Sequence, residues 1–139
     1  MNPKLDILRS TIQELGGQDA NPVLALELFF DGNHDVYSIG PNLEPHPGLE
    51  TFYRVLREIR ERPDVADVVL EVVEVMQGDD EWPFVDTAYV ITTAETERVH
   101  EWASALEPDP PEEGWLRHSP PPGAPGVPEG HHIVALWWD

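Results

Sequence analysis

Apolar residues recur every three to four positions at Leu5, Leu8, Ile12 and Leu15, behind Asn2-Pro3 and ahead of Gly16-Gly17. An asparagine cap, a proline at the first helical position and a glycine stop predict an amphipathic helix of three to four turns. Over 22–30, PVLALELFF, the pattern changes to alternation through Leu24, Leu26, Leu28 and Phe30. That spacing predicts a strand with a partly covered second face, and VYSIG at 36–40 predicts a short partner strand. From Gly48 to Arg62 the helical period returns through Leu49, Phe52, Tyr53, Leu56 and Ile59, and Pro63 ends it.

Residues 66–76, ADVVLEVVEVM, are dense in β-branched residues and predict a long strand, with Glu71 and Glu74 on opposite faces. A polar loop, GDDEWP, leads to another strand over 85–92. Thr92 and Glu95 have the spacing of a capping box for a helix that buries Val99, Trp102, Ala103 and Leu106. The segment from 108 to 131 is proline-dense and excludes regular structure. HIVALWW at 132–138 then returns as a terminal strand, apolar on both faces. The expected order is α-β-β-α-β-β-α-(Pro-rich loop)-β. This defines an α+β fold, a mostly antiparallel sheet of four to five strands with about three helices packed on it. Because the last strand could not fold alone, residues 1–139 read as a single domain with 108–131 as an excursion.

Composition changes the functional picture more than the structural one. The chain has 139 residues, 40% of them hydrophobic, which is enough for a core. It lacks cysteine, which removes thiolate chemistry and cysteine-ligated metal sites. No apolar run is long enough for a bilayer, and MNPKLDILRS lacks the pattern of an export signal, so a cytoplasmic location is expected. Acidic residues number 27 against 8 basic ones, a formal charge of −19. Such a surface repels nucleic acid and anionic membranes and attracts basic proteins. Adaptation of the whole proteome to arginine-rich codons or to salt is an equally good source of the charge.

Candidate chemistry concentrates in two acidic loops. Asp31, Asn33 and Asp35 match the first three ligands of a calcium loop, D-x-[DN]-x-[DN]. Val36 then stands where glycine is required and Asn42 where a bidentate glutamate is required, so that reading fails. A hairpin turn around Gly32 and Asn33, with His34 beside them, remains. The second loop carries Asp79, Asp80 and Glu81 beside Trp82. Packing of Trp82 and Phe84 into the core suits a plain solvated loop. An exposed aromatic flanked by acids would instead make a protein-binding hot spot. Neither loop has a phosphate cradle or neighbouring cations to receive an anionic substrate. The six histidines form no H-x-x-x-H spacing, and His131-His132 point to opposite faces of a strand. No serine sits in a G-x-S-x-G context.

The succession FFDGNHDVYSIGPNL, HPGLETFYRVLREIRERPDV and WPFVDTAYVIT, followed by a tryptophan-bearing helix, resembles a group of small acidic bacterial proteins of unknown function. The likeness spans about residues 22–110. The chain is also similar in general character to immunity proteins that neutralise toxins in bacterial competition, which are small, acidic and cysteine-free. That resemblance implies a non-enzymatic inhibitor of a basic toxin, and no catalytic, cofactor or metal residues follow from it. The expected partner surface comprises Asp31, Asn33, His34, Asp35, Asp79, Asp80, Glu81 and Trp82. Two alternatives stay open: an enzyme with a carboxylate or metal site at these loops, and a homodimer formed through the IVALWWD strand.

Overall fold

The computed structural model describes residues 2–139. Helix α1, Pro3–Glu14, starts where Asn2 Oδ1 accepts the Leu5 N–H at 3.3 Å and buries Leu5, Leu8 and Ile12. Strand β1, Val23–Ala25, leads directly into a short helix α2, Leu26–Phe30. Helix α3, Leu49–Arg60, buries Phe52, Val55, Leu56 and Ile59 along one stripe. Strands β2, Val65–Glu74, and β3, Phe84–Thr92, form the central hairpin. Helix α4, Thr96–Trp102, precedes β4, Glu112–Glu113, and β5, His132–Trp137.

The five strands lie in the order β1-β2-β3-β5-β4, every pair antiparallel. The α+β class and the antiparallel sheet are those expected, with four helices rather than about three. Register places Leu24, Leu70, Ala88 and Leu136 in one row across the sheet. This row and its neighbours Val68, Val90 and Val134 face the helices and join them in the main core. The opposite face carries Val23, Val69, Tyr89 and Ala135, a second and separate cluster. The proline-rich segment covers it, with Trp115, Leu116 and Ala124 packed against it. The two faces of β5 therefore serve different layers.

Five local expectations are corrected. The strand expected over 22–30 stops at Ala25, because Leu26, Phe29 and Phe30 also satisfy the helical spacing and bury one helical face. The partner strand expected over 36–40 is a 3-10 turn, Val36–Ser38, and Ile39 makes only an isolated parallel bridge to Val85. There is consequently no hairpin at Gly32-Asn33; a helix runs into a turned loop instead. The capping box also does not form. Glu95 is the N-cap without a side-chain bond, while Thr92 Oγ1 accepts the Ala94 N–H and donates to the Asp64 carbonyl at 2.6 Å. Within the proline-rich segment, Glu112–Glu113 does pair with β5, so regular structure is not wholly excluded there.

Candidate functional site

The two acidic loops meet. Both oxygens of Asp35 are committed to backbone donors: Oδ1 accepts the Tyr37 N–H at 3.2 Å and Oδ2 accepts the Trp82 N–H at 3.2 Å. Asn33 is buried and holds the turn, its Oδ1 accepting the Asp35 N–H and its Nδ2 donating to Ser38 Oγ. Trp82 is buried too, and its indole donates to the Phe29 carbonyl at 2.6 Å. These three residues build the junction. Asp31, His34, Asp79, Asp80 and Glu81 are exposed around it.

Helix α1 closes the other side. Arg9 donates to the carbonyls of Gly78 and Glu81, at 2.6 and 3.1 Å, and the Lys4 side chain lies over Gly32. An open groove of about 400 Å³ runs between α1 and α2, lined by Lys4, Ile7, Ala25, Glu27, Leu28 and Asp31. Its rim includes the Glu27–Arg60 ion pair, at 2.5 Å. The Arg60 guanidinium bonds hold the Glu27 carboxyl down at about 2, against the smaller opposing effect of burial. Tyr37, at 68%, and Ile7, at 59%, are the most exposed large apolar side chains among the described residues. The sequence reading missed both. Tyr37 falls in the segment expected as a strand, and Ile7 lies off the apolar stripe of α1, which is the available signal.

A second polar cluster lies on the far side of the sheet. Glu71 is completely buried, and its Oε2 accepts the Tyr89 hydroxyl at 2.8 Å. Arg117, from the proline-rich segment, pairs with Glu71 and with Asp86, the latter at 2.9 and 3.2 Å. Burial works against the Arg117 charge, but the hydrogen bonds to Asp86 and Glu71 outweigh it and raise the guanidinium pKa. Burial also raises the Tyr89 phenol, which stays protonated as donor to Glu71. Glu74, at the end of β2, is exposed.

Among the described residues, no group of three or more His, Asp or Glu side chains is placed to hold a metal ion. No described helix is long and apolar enough to cross a membrane.

An acidic α+β protein with a two-loop face and a covered second sheet face is thus defined. The chain belongs to the uncharacterised protein YfbO family, whose model matches residues 3–136. It is 40% identical over 119 residues to the uncharacterised protein YfbO of Escherichia coli (strain K12), covering 85% of this chain and 83% of that protein. No solved structure matches the chain.

Proposed function

We propose that the protein is a non-enzymatic binding module that receives a basic protein on the face where α1, the 31–37 loop and the 78–82 loop meet. The observation that carries this reading is the bridge from Asp35 to Trp82, which joins two acidic loops into one surface with Tyr37 exposed on the first of them. A charge of −19 steers a basic partner toward the molecule, and exposed apolar side chains ringed by carboxylates supply the anchor. An immunity-type inhibitor of a basic toxin is the form of this reading that suits the charge best, and it implies a cytoplasmic protein.

The test uses purified basic proteins encoded beside the gene, titrated calorimetrically at low and high salt. Binding is expected for one of them, weakening with salt and by about tenfold or more with Tyr37→Ala, as for an interface hot spot. Absence of a binding neighbour, or a complex indifferent to both Tyr37→Ala and Ile7→Ser, overturns the proposal.

A further inference from the structure

We propose that residues 114–124 form a strap that opens while the rest of the fold stays intact, and that Arg117 is its latch. The inference rests on the division of the apolar interior into two parts. The main core joins the helices to one sheet face without any strap residue. Beneath the strap lies the separate cluster of Val23, Val69, Tyr89 and Ala135, with Trp115, Leu116 and Ala124 packed on it. Lifting the strap therefore exposes the smaller cluster and leaves the larger one covered, the condition for a local opening rather than global unfolding.

The strap's attachments are few and of known kind. Gly114 N–H donates to the Ile133 carbonyl at 2.8 Å, and Leu116 N–H to the Tyr89 hydroxyl at 3.0 Å. Trp115 meets the Tyr89 ring edge-on, with centroids 4.7 Å apart. The Pro122 carbonyl accepts the Val23 N–H at 2.9 Å, and His118 reaches the Asp19 carbonyl at 3.3 Å. Arg117 differs from all of these because it neutralises Glu71, a fully buried carboxylate. A buried charge that loses its partner is strongly unfavourable, so this pair dominates the closed state. Asp86 sits beside it and keeps the guanidinium aligned in a forked contact. Anything that draws Arg117 from these two carboxylates uncovers an apolar sheet face with an acidic centre.

Native-state hydrogen exchange on the full chain tests the device, because the Leu116 and Val23 amides report the strap and the amides of β2 and β3 report the whole fold. The expected result is exchange at Leu116 and Val23 at least about tenfold faster than in β2 and β3, with little dependence on dilute urea. Arg117→Ala is expected to speed those two amides by about tenfold or more while their dependence on dilute urea stays as small as in the parent, because the strap-open state they report already lacks the pair. Asp86→Asn, which keeps the pair with Glu71, is expected to give a smaller change in the same amides. Equal exchange rates for the strap and the central strands overturn the proposal. So do Leu116 and Val23 amides that in Arg117→Ala exchange no faster than in the parent or only with the strong urea dependence of global unfolding, or an Arg117→Ala chain that does not fold.

Discussion

The Tyr89 hydroxyl donates to the buried carboxylate of Glu71 at 2.8 Å while accepting the backbone N–H of Leu116 at 3.0 Å. One oxygen thus ties β3 both to β2 and to the proline-rich segment. Tyr89→Phe keeps the ring against Trp115 and removes only the hydroxyl. It leaves a buried carboxylate oxygen and an amide short of partners, an expected loss of about 1–3 kcal/mol. Urea denaturation at neutral pH measures it, and an unchanged midpoint would show that water replaces the hydroxyl.

Trp82→Phe tests the junction of the two acidic loops from its buried side. The indole N–H satisfies the Phe29 carbonyl at 2.6 Å, so phenylalanine orphans that carbonyl and leaves a void. A loss of about 2–4 kcal/mol is expected from the lost bond and cavity together. The check is again the urea midpoint, with circular dichroism to confirm that the fold persists.

His132 is expected to make stability fall as pH rises. Its Nε2 faces the Ala94 carbonyl and its Nδ1 the Glu113 carboxylate, both at 2.5 Å, so both ring nitrogens meet acceptors. The Ala94 carbonyl first, and Glu113 second, raise its pKa above the ordinary 6.5. A raised folded-state value stabilises fully below the unfolded value, and the contribution is lost as pH climbs through the folded one. The urea midpoint is therefore expected to decline upward from pH 6.5, and His132→Gln to flatten that part of the curve. A variant with the same slope as the parent would rule out this origin.

Removal of residues 132–139 withdraws β5 from between β3 and β4. The main core loses Val134, Leu136 and Trp138, and Trp138 also donates to the Leu106 carbonyl at 2.8 Å. Burial of a tryptophan removes ~150–250 Å² from water, worth several kcal/mol at ~25 cal/mol per Å². Insoluble or unfolded product is expected on expression. A truncated chain that melts like the parent would mean that β5 is dispensable to the sheet.

Long elements were legible because their periods are unambiguous. Leu5, Leu8 and Ile12 admit only a helix, and the β-branched run ending near Glu74 only a strand; both lie close to the expected bounds. The stretch around Leu26 was not legible, because its apolar positions satisfy two periods at once and tertiary burial of Phe29 and Phe30 decides between them. The polar assignments failed or succeeded on the same ground. Glu71 falls by simple alternation between Leu70 and Val72 of the main core, whereas Arg117 as its counter-charge lies 46 residues away and follows no local spacing. The 31–35 and 79–82 loops looked alike in sequence, but their contact depends on a backbone N–H, which sequence composition does not display.

The commitment of both Asp35 oxygens to backbone donors has a consequence for recognition kinetics. A loop held at Tyr37 and at Trp82 by the same carboxylate reaches its working shape before any partner arrives. Little conformational freedom is then left to freeze on association, and no slow rearrangement separates encounter from docking. For the basic partner proposed above, capture at this face is then set by how often the two molecules collide in the right orientation, and ionic strength is the control that acts on that frequency.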